Sequence, residues 1–328
     1  MLVLNTKEMK ECYSMRQAID ADKEALGLYS KQQSIVPLRT NISVDIHKGQ
    51  SLYMPAYVAG DTSESLGVKI VSVYPENIKK NLPSVPASMV VIDPATGIVS
   101  AIMDGTHLTQ LRTGAVQGAA TELLSRKDAK IGALIGTGGQ AESQLEAMIT
   151  VRDLEEIRIF DIDYDRAKEF SAKVSERFSI NARAAKTAQE CVTGADIITT
   201  VTTSRRPTFE AAWIKKGAHI NGVGSYTPEM CEIPSDMLSK ADVIILDTID
   251  GVLQEAGDFI QPFDKGELTN EIIRGELGQL VNGTITGRTS DDQITVFKTV
   301  GTAVLDVYVA NEIVENAKNK GLGTTINI

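Results

Sequence analysis

Apolar residues along this chain follow two rhythms. In the first stretch they recur mostly at every second position, after one helical period. Ile19, Ala25, Leu26 and Tyr29 line one face of a helix predicted over Met15–Gln32, with Ser14 placed to cap it. Strand-like pieces follow at Ser51–Ala59, Leu66–Tyr74 and Ser88–Ile92. Asp93-Pro94-Ala95-Thr96-Gly97 is a turn signal, and Ile98–Met103 supplies the hairpin partner. Residues 1–115 therefore read as antiparallel β with one or two helices.

From Lys127 the rhythm changes. Short apolar runs at Ile131–Ile135, Ile157–Phe160, Ile197–Val201, Ala218–Val223 and Val243–Leu246 predict buried strands. Helical periods at Glu142–Val151 and Arg166–Phe178 fall between them. Such alternation predicts a parallel sheet covered on both faces. The tail, Gly301–Lys320, is helical again and offers Val304, Leu305, Val307, Tyr308 and Ile313 for burial. It is expected to pack back on the N-terminal part. The fold class is thus α/β: a doubly wound, Rossmann-type domain at 116–299, inserted into a mixed α+β domain at 1–115 plus 300–328.

Composition narrows the partners. The 328 residues suit two domains, and a formal net charge of −10 disfavours binding to a phosphate backbone, so no nucleic acid is expected. No apolar run approaches the ~18 residues of a membrane span, and Met1–Asn5 carries no basic, apolar leader. Cys12, Cys191 and Cys231 are scattered and odd in number, which fits a reducing cytoplasm. His47, His107 and His219 form no ligand pair, so no metal site is expected.

The chemistry-bearing motif is Gly136-Thr137-Gly138-Gly139-Gln140-Ala141, between a predicted strand and a predicted helix. This is G-x-G-x-x-A. Gly136 permits the tight turn, Gly138 lets the backbone approach a pyrophosphate, and Ala141 allows close packing of the helix on the strand. The new helix offers its free N–H groups to phosphate. Asp161 ends the next strand, roughly 20 residues on, where a carboxylate can accept the ribose hydroxyls and repel a 2′-phosphate. NAD(H) or NADP(H) is the expected cofactor, with NAD favoured, although Arg166 nearby softens that discrimination. Thr202, Val223 and Gly224 lie at later strand ends, where small residues leave room for a flat nicotinamide ring.

Further pieces carry a resemblance. Pro37-Leu38-Arg39, Gly67-Val68-Lys69-Ile70-Val71, Pro75-Glu76-Asn77 and Leu111-Arg112-Thr113-Gly114-Ala115 precede the glycine turn; Gly222-Val223-Gly224 and Thr295-Val296-Phe297-Lys298 follow it. In this order and spacing the chain resembles the ornithine cyclodeaminase/μ-crystallin family along essentially its full length. The resemblance implies a substrate and dimerisation domain built from both chain ends, a homodimer, and a small imino or amino acid as substrate. It implies that Arg39, Lys69 and Arg112 surround the substrate carboxylate and the cofactor, and that Ser84 lies near the nicotinamide. Arginine suits a carboxylate because it binds bidentately. Alternation places Lys69 with Val71 on one strand face, where burial lowers an ammonium pKa and suits proton transfer.

One departure separates the reactions within that family. Its cyclodeaminases and alanine dehydrogenases keep an aspartate two residues before a proline, as acid/base for the amine and water steps. Here the stretch is Gly224-Ser225-Tyr226-Thr227-Pro228, and Tyr226 takes that place. A phenol with a pKa of about 10 is a poor acceptor of an ammonium proton. Reducing a preformed imine asks for less: a held carboxylate, a placed carbon and one proton. The resemblance therefore points to reduction of a cyclic imino acid, with Δ1-pyrroline-2-carboxylate to L-proline as the first expectation. Ornithine cyclodeamination, alanine dehydrogenation and a non-catalytic, crystallin-like nicotinamide-binding role are the alternatives. Asp291, Asp292 and Asp306 remain as other acids that take over from the missing aspartate.

Overall fold

Side-chain caps decide where the first helices begin. In the computed structural model, which describes residues 1–60 and 64–327, strand β1 (Leu2–Leu4) leads into α1 (Thr6–Cys12), capped by Asn5 with Glu8 reaching back. Ser14 and Gln17 close the same kind of box at α2 (Met15–Ser30). Strands β2 (Ser34–Ile35), β3 (Thr40–Val44), β4 (Gly49–Ala59), β5 (Glu64–Val73), β6 (Ala87–Ile92) and β7 (Val99–Asp104) follow, and then α3 (Gly105–Leu124). The chain divides into two compact units, Met1–Arg112 with Thr302–Ile328, and Thr113–Gly301.

The second unit alternates strand and helix. In order come β8 (Ile131–Ile135), α4 (Ala141–Val151), β9 (Glu156–Phe160), α5 (Tyr164–Phe178), β10 (Asn181–Ala184), α6 (Ala188–Val192) and β11 (Ile197–Thr200). Then come β12 (His219–Gly222), α7 (Ser235–Lys240), β13 (Val243–Leu246), α8 (Ile249–Glu255), α9 (Gly257–Asp264), β14 (Gly275–Glu276), α10 (Leu277–Val281) and β15 (Thr295–Lys298). The sheet order is β10-β9-β8-β11-β12-β15-β13-β14, and all its pairings are parallel. Strand order reverses between β8 and β11. Open α/β sheets bind ligands beyond the carboxyl ends of the strands at such a point. Buried apolar clusters lie on both faces, one around Ile198, Ile220 and Phe259 and the other around Leu134, Leu145 and Ile159.

Helix α11 (Ala303–Lys320) and strand β16 (Thr324–Thr325) return the chain to the first unit, where α11 packs on α2, β4 and β5. The first sheet runs β16-β1-β7-β6-β5-β4-β2, with β3 also on β4. Positions paired across a sheet share a face. One row across the α11 side is Met54–Lys69–Met89–Met103, and the next is Ala56–Gly67–Val91–Ala101. Lys69 thus sits in a line of methionines on an interior strand. Among the described residues no helix is long and apolar enough to cross a membrane.

Candidate active-site residues

The glycine turn has the form its spacing predicts. Gly136 has φ 104°, and a Cβ there would lie 2.7 Å from the Val201 carbonyl, so both conformation and packing require glycine. Its N–H donates to the Phe160 carbonyl at 2.8 Å. A Cβ on Gly138, by contrast, would meet nothing within 4 Å. That leaves open space over the turn. Ala141 is fully buried, and no side chain caps the start of α4. The Gln140 side-chain oxygen is buried with no hydrogen-bond partner among the described residues. Open space and an uncapped helix start fit a dinucleotide pyrophosphate at Gly136, Gly138, Gly139 and Gln140.

Asp161 closes this turn from the next strand. Its Oδ2 accepts from the Thr137 N–H at 2.9 Å and the Thr137 hydroxyl at 2.6 Å, and its Oδ1 accepts from the Asp163 N–H. Partial burial opposes ionisation, but these bonds and Arg166 outweigh it and hold the carboxyl below its usual range. Arg166 also reaches the Thr137 carbonyl at 3.4 Å. Thr202, Val223 and Gly224 follow β11 and β12, and a Cβ on Gly224 would overlap the Thr202 backbone.

In the first unit, Lys69 and Arg112 converge on one carboxylate. Lys69 Nζ lies 2.7 Å from Asp306 Oδ2, and Arg112 Nε lies 2.9 Å from Asp306 Oδ1. All three are buried; Lys69 is 1% exposed and Asp306 0%. The lysine expected on a partly enclosed strand face is enclosed completely. Burial pulls its pKa down, the positive fields of Arg112 and Arg39 add to that, and Asp306 resists; the balance leaves it at about 7. Arg112 Nη1 is buried with no hydrogen-bond partner among the described residues. Two cations therefore share one carboxylate, and donor capacity is left over. Arg112 stands two turns inside α3.

Other residues fall elsewhere. Arg39 is half-buried and acts on Lys69 through its charge. Ser84 lies in the segment before β6, where its carbonyl accepts from the Tyr74 N–H at 2.8 Å. Tyr226 belongs to the second unit and is 37% exposed; burial alone raises its phenol pKa, with no charged neighbour contributing. His219 is a sheet residue, bonded to Thr295 and Asn221 at 2.9 Å and pushed down to about 3 first by burial.

The sequence reading missed two things. Asp22, on α2, is fully buried with neither oxygen hydrogen-bonded among the described residues. Burial pushes its carboxyl well above the usual range, against the field of Arg112. Glu232, Asp258 and Lys298 form a second buried charge cluster. No local spacing marks either, although Thr295–Lys298 stood out as a motif without a role.

Comparison with known proteins settles the kinship. The model of the ornithine cyclodeaminase/mu-crystallin family matches residues 1–321. The chain belongs to that family. A Δ1-pyrroline-2-carboxylate reductase of Bacillus cereus is 36% identical over 326 residues, 99% of each chain. The solved structure of Thermococcus litoralis Δ1-pyrroline-2-carboxylate reductase, in complex with NADH and L-proline, is 40% identical and superposes with a TM-score of 0.94, covering 99% of this chain and 100% of that one. An archaeal alanine dehydrogenase dimer with bound NAD is 34% identical with a TM-score of 0.92, covering 100% and 99%. The doubly wound sheet and the mixed sheet found here are the fold of this family.

Proposed function

We propose that this chain uses NADH to reduce the C=N bond of a cyclic α-imino acid, turning Δ1-pyrroline-2-carboxylate into L-proline. The observation that carries this reading is the buried Lys69–Asp306–Arg112 cluster, with two cations on one carboxylate and an Arg112 donor unpaired. Such a cluster suits an anion whose charge it completes. Full-length similarity to reductases of this imine supports it. So does Tyr226, whose raised phenol makes a poor substitute for the acid/base of a cyclodeaminase.

The roles follow from the chemistry of each group. Arg39 and Arg112 hold the substrate carboxylate. Lys69, near pKa 7, can carry the proton that the product nitrogen takes up while the ring carbon receives hydride. Tyr226 contributes shape and an O–H donor. We assign the pyrophosphate to Gly136, Gly138, Gly139 and Gln140, the adenosine ribose to Asp161, and the nicotinamide end to Thr202, Val223, Gly224, Ser84 and Arg112. Bound NADH supplies the hydride.

NADH consumption with five- and six-membered cyclic imino acids is the test, followed by near-ultraviolet absorbance. Saturable turnover with the five-membered ring is expected. No turnover with either ring overturns the reading, and proline with ammonia released from ornithine would make the chain a cyclodeaminase. NADPH in parallel reports how far Asp161 excludes a 2′-phosphate.

We also propose that the chain is a homodimer. The sheet face away from α11 carries Tyr53, Ile70, Val68, Val90 and Ile102, all only half-buried. A continuous apolar face of this kind suits a self-complementary contact. Light scattering should give twice the monomer mass. A reducing cytoplasm suits the buried, unbridged Cys12, Cys191 and Cys231.

A further inference from the structure

Glu232 is an unusual carboxylate. It is fully buried, and no cation lies within ion-pair distance of it among the described residues. Its partners are backbone N–H groups instead. Oε1 accepts from Thr202 at 2.6 Å, and Oε2 accepts from Gly224 at 2.6 Å and Ser225 at 3.1 Å. These donors belong to two different turns, one after β11 and one after β12. One side chain thus ties together the carboxyl ends of adjacent strands. The tie is tight, because Gly224 packs against the Thr202 backbone with no room for a Cβ. The Gly136 turn leans on the same segment through the Val201 carbonyl.

Glu232 is itself held from behind. Its own N–H and that of Ile233 donate to Asp258 Oδ1 at 2.6 and 2.9 Å. Asp258 Oδ2 lies 3.0 Å from Lys298 Nζ, and Asp258 and Lys298 are 1% and 0% exposed. Burying two carboxylates and one ammonium is expensive unless each is satisfied. Hydrophobic side chains would cover the same volume without that penalty. What a carboxylate adds is three acceptor directions fixed on three separate N–H groups.

We propose that Glu232, backed by Asp258 and Lys298, is the positioning residue that sets the two turns on which the nicotinamide end of the cofactor rests. It touches no reacting atom. It fixes the Thr202 and Gly224 backbones relative to each other, and through Ser225 it fixes the start of the segment carrying Tyr226. This rests on the reading that the second unit takes a nicotinamide dinucleotide. The adenosine end, at Asp161 and the glycine turn, hangs on hydrogen bonds that do not involve Glu232.

The two ends of the cofactor can therefore be separated in one experiment. ADP-ribose carries the adenosine and pyrophosphate but no nicotinamide. Calorimetric titration of the full-length protein, wild type and Glu232→Gln, with NADH and with ADP-ribose is the measurement. Glutamine turns an NH2 donor towards at least one of the N–H groups that glutamate accepts. The variant should bind NADH about tenfold more weakly, since displacement on the ångström scale is enough for such losses, while ADP-ribose affinity stays within about twofold. Equal losses for both ligands would reduce Glu232 to general scaffolding and overturn the proposal, and so would no loss for either. If Glu232→Gln does not fold, Glu232→Asp keeps the charge, withdraws it by one methylene and is judged by the same split. Failure of the wild type to bind NADH is a different result: it removes the cofactor reading itself.

Discussion

Among the described residues, two buried lysine–aspartate pairs stand out, one in each unit, and they are balanced in opposite ways. In the first, Lys69 and Arg112 share Asp306, so positive charge is in excess and Arg112 keeps an unpaired donor. In the second, Lys298 faces Asp258, and Glu232 adds a further carboxylate whose acceptors are taken up by backbone N–H groups. Both incur desolvation, and neither is good evidence for stability as such. The difference lies in what each leaves unfinished. The first sets two cations on one carboxylate and leaves Arg112 Nη1 without a hydrogen-bond partner among the described residues. In the second, the oxygens of Glu232 are taken up by the N–H groups of the two turns that it braces. A carboxylate bonded to main-chain N–H groups of two turns acts as a brace, whereas a carboxylate shared by two cations leaves net positive charge around it.

The sharpest way to break the comparison is Lys69→Met. Methionine suits a row already made of Met54, Met89 and Met103. The fold should survive while kcat/KM for imine reduction falls about a thousandfold, the order expected when a group holding developing charge is removed. NADH affinity, read by fluorescence, should hardly change. An active Lys69→Met enzyme would make the cluster structural.

Asp306→Asn tests the other partner. It leaves two buried cations without their counter-charge and should destabilise folding by about 3 kcal/mol, measured by denaturant unfolding at about pH 6. The native pKa of Lys69 lies below its unfolded value, so its penalty is complete below the native pKa and fades as pH rises. The deficit should therefore shrink at about pH 9. An unchanged deficit would place the effect on Arg112 alone.

Activity carries the same titration. A reductase that relies on protonated Lys69 loses it as pH rises through about 7, so kcat/KM should fall about tenfold per unit on the alkaline side. A flat profile up to about pH 9 would show that the lysine proton is not required. The smallest effect belongs to the cofactor side. Asp161→Asn removes the charge that repels a 2′-phosphate and should shift the NADH-to-NADPH preference about fivefold towards NADPH, read from specificity constants with each cofactor. The Thr137 bonds tie this carboxylate into the turn, so a parallel loss of affinity for both cofactors would point to the turn rather than to the phosphate.

Legibility followed the same division. Strands β8 and β13 appear with the bounds that their apolar runs predict, and α2 begins at the cap assigned to Ser14. Strand β1, helix α1 and strand β10 passed unnoticed because three to seven residues carry too little period. Alternation placed Lys69 on a strand face but said nothing of its depth, which follows from β5 lying between β4 and β6. Asp306 stood among three candidate acids, and only the packing of α11 on β5 singled it out. Nothing around Asp22 or Glu232 hinted at burial, since neither lies in a motif.

What the sequence by itself determined is the local chemistry: a turn that needs Gly136, the open approach at Gly138, the carboxylate at Asp161, and tyrosine at 226. Those properties depend on residues within one turn or one strand–helix unit, so spacing is enough to state them. Which acid serves the cations, how deeply Lys69 is buried and which side chain braces the strand ends were decided only by tertiary structure. Arg112 and Asp306 are 194 residues apart, and the pKa of Lys69 is a sum of burial and fields from elements that meet only after folding.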